Sequence, residues 1–228
     1  MKFDDLINTI QIGDARELIE LIPNESIDLI LCDPVYQNID DYRWLAEIAA
    51  RVLKPYGSIL AQCGHIHRWE AELAMQHDEL EKRPLLTEVF TSGFVTIWKH
   101  KTLRASLHYI WLEKTGIRED REWPQTLLRT KVDPLWWIGQ KDKSAHKWGD
   151  GERGFEYIMS RLTKPGEIVL DPFSGSATVS AVAKRINRHW IAFERDEKVA
   201  LQSIERLKGG QTQMFIPNGE QEDFYVDG

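Results

Sequence analysis

Two short apolar runs that end alike constrain the fold of this chain more than any other feature. Ile27 to Cys32 runs into Asp33-Pro34-Val35-Tyr36, and Ile168 to Leu170 runs into Asp171-Pro172-Phe173-Ser174-Gly175-Ser176. Runs of this length between polar turns predict buried strands. Proline cannot extend a strand's hydrogen-bond ladder, so each strand is expected to stop at a loop rich in acceptors. Helical spacing follows each loop, carried by Leu45, Ile48, Ala49, Val52 and Leu53 after the first and by Val179, Val182, Ala183 and Ile186 after the second. Further strands are predicted over Ile7 to Ile12, Ser58 to Cys63 and Trp190 to Phe193, and helices over Ala15 to Ile22, Trp69 to Leu80 and Phe155 to Leu162. Such alternation implies an α/β fold, a mostly parallel sheet covered by helices. Ligands of open α/β sheets sit beyond the carboxyl ends of the strands, so both loops are expected to line one crevice.

With 228 residues, 42% hydrophobic and 29% charged, the chain has the size and composition of one globular domain with a substantial core. We expect a single domain over residues 1–208 and a polar acidic tail over 209–228. No apolar stretch approaches the roughly 18 residues of a membrane span, and Met1-Lys2-Phe3-Asp4-Asp5 lacks a signal-peptide core. A cytoplasmic protein without a membrane partner is expected. Cys32 and Cys63 each close a predicted strand and fit no zinc spacing, which predicts reduced, buried thiols and no metal.

The net charge of −7 is unevenly distributed. Residues 99–147 hold eleven Lys and Arg against six Asp and Glu, so a basic middle segment is set in an acidic body. Residues 89–99 and 106–114 are β-rich and predict an antiparallel pair. Residues 115–150 show no clear periodicity, and 115–147 form a candidate target-recognition insertion, with Arg118, Arg121, Arg129, Lys131, Lys141 and Lys143 as candidate nucleic-acid contacts. Basic residues interleaved with Trp111, Trp123, Trp136 and Trp137 suit phosphate contact and base stacking. A solvated loop region whose tryptophans serve the core is the competing reading of the same composition.

The second loop has the character of half a nucleotide site. Its small residues Ser174, Gly175 and Ser176 let a ligand approach the backbone and the helix opening near Thr178. Glu194 lies 23 residues beyond Asp171, close to the spacing of about 20 at which an acid meets ribose hydroxyls in such folds. Gly175 stands alone, without the three glycines that cradle a pyrophosphate. An adenosine ligand lacking a pyrophosphate fits better than a nicotinamide cofactor, and a small-residue packing turn is the structural alternative.

Taken together, Gly13-Asp14 through Asp33-Pro34-Val35-Tyr36, Tyr42-Arg43-Trp44-Leu45 to Arg51-Val52-Leu53-Lys54-Pro55-Tyr56-Gly57, and Lys164-Pro165-Gly166 through Asp171-Pro172-Phe173-Ser174-Gly175-Ser176 to Glu194 resemble DNA amino-methyltransferases. The tetrad precedes the cofactor loop, an order that resembles the permuted β group. The resemblance spans roughly residues 8 to 65 and 144 to 208. It implies a Rossmann-like methyltransferase fold with a mostly parallel seven-stranded sheet, helices on both faces, and S-adenosyl-L-methionine as cofactor. It further implies that Asp33 and the Pro34 carbonyl accept hydrogen bonds from an exocyclic amine, that Tyr36 stacks on a flipped-out base, and that Asp33 also borders the cofactor. By the same matching, Asp171, Phe173, Ser174, Gly175, Ser176 and Thr178 line the cofactor, Glu194 holds its ribose, and Asp14 meets its adenine. His146, in Ser144-Ala145-His146-Lys147-Trp148, matches a His-containing cofactor motif loosely. Asp at the head of the tetrad favours adenine-N6 in DNA as the target. Cytosine-N4 methylation and a catalytically silent DNA-binding relative are the alternatives, RNA is an alternative substrate, and a homodimer is a compatible assembly. Two residues depart from the pattern: Val35 stands for the second proline of the tetrad, and Ala177 for the usual glycine after Ser176.

Overall fold

The computed structural model describes residues 2–90, 95–97, 102–104, 106–116, 135–138 and 149–209. Eleven strands are described: β1 (Thr9–Ile12), β2 (Ile27–Cys32), β3 (Leu53–Cys63), β4 (Leu80–Lys82), β5 (Leu86–Phe90), β6 (Val95–Ile97), β7 (Thr102–Arg104), β8 (Ser106–Lys114), β9 (Leu135–Ile138), β10 (Ile168–Asp171) and β11 (His189–Glu194). The helices are α1 (Ala15–Leu18), α2 (Ile39–Val52), α3 (Arg68–Ala74), α4 (Gly149–Leu162), α5 (Thr178–Arg185) and α6 (Glu197–Gly209). None of them is long and apolar enough to cross a membrane.

The main sheet runs β1-β11-β10-β2-β3-β8-β5-β9, with β4 added along β8. From β1 to β3 all pairs are parallel, whereas β8 is antiparallel to β3, β4 and β5. The chain passes from β10 to β11 in one direction across the sheet and from β2 to β3 in the other. Strand order therefore reverses between β10 and β2, the position where an open α/β sheet leaves a crevice at its carboxyl edge.

Every residue of β2 is buried, because both faces of the sheet are covered. Ile30 and Cys32 face α2, packing with Leu45, Ile48 and Val52, while Leu29 and Leu31 face Ile158, Met159 and Leu162 of α4 together with Val179, Val182 and Ala183 of α5. Each fully buried aliphatic side chain contributes about 1.5 to 3 kcal/mol, which makes this double packing the main determinant of the parallel core. Asp28 is also buried, yet Lys54 Nζ donates to its two oxygens at 3.0 and 2.9 Å and the Ile168 amide donates to Oδ2 at 2.9 Å. One paired carboxylate thus ties β2, β3 and β10 together at their amino ends.

Three expectations are revised. Among the described residues the sheet has nine strands where the resemblance implies seven, because the short β4 and β9 add pairings along β8 and β5. Helix α3 ends at Ala74 instead of continuing to Leu80, since Leu80–Lys82 pairs with Lys114, Glu113 and Leu112 of β8. The predicted pairing of 89–99 with 106–114 is divided: β5 pairs with β8, and β6 pairs with β7 in a separate two-stranded sheet. Cys32 and Cys63 are free, buried thiols, as expected.

Candidate active site

Four neighbouring parallel strands deliver four acids to one edge of the sheet. Asp14 follows β1, Glu194 ends β11, Asp171 ends β10 and Asp33 follows β2. The register explains the grouping, since Ile12 pairs with Glu194, Asp171 with Ala192, and Leu170 with Ile30.

Around the first loop, Pro34 is buried and Asp33 is exposed toward the crevice edge. Val35 projects outward with 67% exposure, and its carbonyl accepts the Asn38 amide at 2.9 Å, so the turn closes without a second proline. The Tyr36 ring lies directly over Gly64, where a Cβ would come within 2.9 Å of Cδ2. Glycine at the end of β3 is therefore what lets the ring seat. Tyr42 from α2 donates its hydroxyl to the Gln62 carbonyl at 2.8 Å, anchoring the same strand end.

Gln62 is the residue that sequence reading missed. It is 5% exposed, and its side-chain amide is satisfied when the nitrogen donates to Asp33 Oδ1 at 2.7 Å and Oδ2 at 3.0 Å while the oxygen accepts from the Tyr109 hydroxyl at 2.9 Å. The signal available was a polar residue interrupting the apolar run Ser58 to Cys63.

On the other side of the crevice, Asp171 is 3% exposed and accepts the Phe173 amide at 3.1 Å. Burial pushes its carboxyl up to about 8, opposed by the Phe173 N–H and reinforced by the charges of Asp33 and Glu194. Phe173 packs edge-on against Trp44, with centroids 5.8 Å apart, and Arg16 lies over the Trp44 ring. Glu194 accepts from the Gly175 amide at 2.9 Å and from the Asp196 amide at 2.8 Å, which fixes the loop to the end of β11. Gly175 has φ +48°, with open space where a Cβ would be. Ser174 Oγ is buried and unbonded, while Ser176 and Thr178 hydroxyls lie 3.1 Å apart at the start of α5. Ala177 adopts the left-handed conformation, φ 59° and ψ 36°, fully buried. That conformation explains why glycine suits the position.

Asp14 has a local task as well: its carboxylate caps α1 by accepting the Arg16 amide at 2.8 Å. The structure thus brings Asp14, Asp33, Pro34, Tyr36, Asp171, Phe173, Ser174, Gly175, Ser176, Thr178 and Glu194 to the carboxyl edge of the parallel strands. His146, Arg118, Arg121, Arg129, Lys131, Lys141 and Lys143 lie outside the described residues. An edge with four acids, one of them disfavoured as an anion by burial, suits a ligand that carries positive charge and hydroxyl donors. The buried, unbonded Ser174 hydroxyl and the space at Gly175 are consistent with a ligand seated there.

The comparisons with known proteins agree with this geometry. The solved structure of the PvuII DNA methyltransferase, cytosine-N4-specific, superposes with a TM-score of 0.68 at 23% identity, covering 94% of this chain and 88% of that one. The M1.HpyAVI–SAM complex superposes with a TM-score of 0.63 at 19% identity over 87% of this chain and 97% of that one. Both share the Rossmann-like fold. Type II methyltransferase M.HinfI of Haemophilus influenzae is 25% identical over 253 aligned positions, covering 90% of this chain and 69% of that protein. A family model for DNA methylases, the N6/N4 class, matches residues 27–205, from the start of β2 into α6. The acids that meet at the switch point and the tetrad that precedes the cofactor-type loop are therefore those of a chain that belongs to the N6/N4 DNA methylase family.

Proposed function

We propose that this protein transfers a methyl group from S-adenosyl-L-methionine to the exocyclic N6 of adenine in DNA. One observation carries the reading: Asp33, the head of the tetrad, stands at the end of β2 across the switch point from Asp171, with both its oxygens facing the Gln62 amide nitrogen. The cofactor supplies an electrophilic methyl group on a sulfonium. Asp171, Phe173, Ser174, Gly175, Ser176, Thr178 and Glu194 would hold it, Asp14 would meet its adenine and Asp33 would border it.

The exocyclic amine of adenine is a poor nucleophile because its lone pair is delocalised into the ring. Asp33 and the Pro34 carbonyl, both acceptors, draw the two amine hydrogens toward the protein and leave the nitrogen lone pair directed at the cofactor side. Positioning and acceptor electrostatics of this kind can each supply several kcal/mol. Tyr36, half-buried and fixed over Gly64, offers its ring for stacking on a base turned out of the duplex. Val35 leaves the turn intact, so its departure from proline does not argue against activity. The basic segment over residues 115–147 is the candidate reader of the target sequence, through Arg118, Arg121, Arg129, Lys131, Lys141 and Lys143.

Cytosine-N4 is the second reading, supported by the overall likeness to a cytosine-N4-specific structure. Expression in a methylation-free host, followed by nucleoside mass spectrometry of the host DNA, separates the two. We expect N6-methyladenine; N4-methylcytosine would replace the adenine assignment, and the absence of either from the wild-type sample would overturn the activity. Asp33→Ala should abolish the product while leaving cofactor affinity within a few-fold, and full activity in that variant would refute the role of Asp33.

A further inference from the structure

Behind Asp33 runs a line of buried polar side chains that the transfer mechanism does not use. Gln62 and Tyr109 are register partners across the antiparallel pair β3 and β8. Tyr109 in turn faces Leu86 of β5, and Glu88, two residues along, projects from the same face of the sheet. The result is a row that starts at Asp33, just past β2, and crosses three strands at Gln62, Tyr109 and Glu88. Tyr109 and Glu88 are fully buried. The Tyr109 hydroxyl oxygen lies 2.9 Å from the Gln62 amide and 3.0 Å from Glu88 Oε2.

Hydrogen counting gives this row a direction. Asp33, to act as an acceptor for the substrate amine, must face the nitrogen of the Gln62 amide and not its oxygen, because two acceptors at 2.7 Å repel. The Gln62 oxygen then faces Tyr109 and takes the single hydroxyl hydrogen. The Tyr109 oxygen is left as an acceptor toward Glu88, so the hydrogen in that last contact belongs to Glu88. With the opposite polarity, an ionised Glu88 takes the tyrosine hydrogen, the amide turns its oxygen to Asp33, and the acceptor is opposed by its own neighbour.

We propose that Gln62, Tyr109 and Glu88 form a directional hydrogen-bond chain, Glu88 to Tyr109 to Gln62 to Asp33, that positions the Asp33 carboxylate as acceptor for the substrate amine. Gln62, Tyr109 and Glu88 are positioning residues: they act through Asp33 and touch neither substrate nor cofactor. The backbone of α4 closes the far end, since a Cβ on Gly154 would collide with the Glu88 carboxylate.

The inference rests on the methyl-transfer reading above, and the test keeps the two apart. Wild-type turnover is measured first with DNA and S-adenosyl-L-methionine; no product there would overturn the methyl-transfer reading and this inference with it. With an active wild type, Tyr109→Phe keeps the buried ring and removes only the hydroxyl, and Gln62→Met keeps the volume and removes the amide. Each should lower kcat about tenfold or more, while KM for DNA and the calorimetric Kd for the cofactor stay within about twofold. Glu88→Leu should lower kcat likewise, and Glu88→Gln, whose amide can still donate to Tyr109, should restore most of that loss. Unchanged kcat in Tyr109→Phe would overturn the chain. So would Glu88→Gln falling as far as Glu88→Leu, or a parallel loss of kcat and cofactor affinity across the set, which would mark the row as mere packing.

Discussion

Replacing Asp171 by Asn tests the electrostatic logic of the crevice, because the structure places that carboxyl near the point of neutrality at working pH. Burial, helped by the charges of Asp33 and Glu194, raises Asp171 from an ordinary 3.8 to about 8 in the protein alone. A cationic cofactor favours the ionised form, so binding below pH 8 must release a proton from Asp171. With a pKa of about 8, wild-type affinity should rise about tenfold per pH unit up to that point and then level off, a span of roughly a hundredfold, or ~3 kcal/mol, between pH 6 and pH 9. The cofactor's own ammonium titrates nearby, so the quantity to follow is the ratio of wild-type to Asp171→Asn affinity, in which that titration cancels. Asn keeps the oxygen that accepts the Phe173 amide but carries no titratable charge. Calorimetry in two buffers of different ionisation enthalpy would also count the released proton directly.

Linkage fixes the companion effect on stability. The folded-state value lies above the unfolded one, so native Asp171 holds its proton where the unfolded chain has already lost it. That contribution is fully present below about pH 4 and is lost as pH rises toward 8. The shift of about four units caps the loss at ~6 kcal/mol, and structural relaxation reduces it. Asp171→Asn should therefore raise the melting temperature near pH 8 while it removes the pH dependence of cofactor affinity. Equal pH slopes for wild type and variant, or a variant less stable at pH 8, would refute the reasoning.

Other perturbations follow from the same geometry. Glu194→Ala should weaken cofactor binding by roughly 1 to 3 kcal/mol through loss of charge-assisted hydrogen bonds, and an unchanged calorimetric Kd would exclude a ribose contact. Gly64→Ala places a methyl group 2.9 Å from the Tyr36 ring, so DNA kcat/KM should drop about tenfold with cofactor affinity preserved; equal kcat/KM would show that Tyr36 needs no fixed seat. Ala177→Gly relieves a left-handed φ of 59° and should stabilise the fold by about 1 kcal/mol in denaturant titration, whereas a loss of stability would mean that the methyl group's packing outweighs the backbone strain.

Much of the parallel half of the fold was legible because its signals are local. Short apolar runs ending in Asp-Pro, helical spacing at Leu45 to Val52 and Val179 to Ile186, and the distance from Asp171 to Glu194 each lie within a few turns of chain. Strands β2, β10 and β11 and the start of α5 at Thr178 accordingly fall where expected. The antiparallel half was less legible. The predicted helix runs to Leu80, yet Leu80–Lys82 pairs as a strand because β8 offers an edge there, and three residues of ladder outweigh a weak local preference. Gln62 and Glu88 carry no local signal that ties them to Asp33, because the strand register that brings them together spans distant parts of the chain.

By itself the sequence determined which residues could do chemistry: an acceptor pair in Asp33 and Pro34, a stacking ring in Tyr36, a small-residue loop and a spaced acid in Glu194. Those properties belong to the residue types and their immediate neighbours. The tertiary structure alone decided how they are used. Reversal of strand order between β10 and β2 sets Asp33 beside Asp171 although 138 residues separate them in the chain. The antiparallel register of β3 with β8 sets Tyr109 against Gln62, and burial, helped by the charges of Asp33 and Glu194, moves the Asp171 carboxyl toward neutrality. Proton affinity and hydrogen-bond direction depend on what surrounds a group in space, and strand pairing across long stretches of chain is what supplies those surroundings.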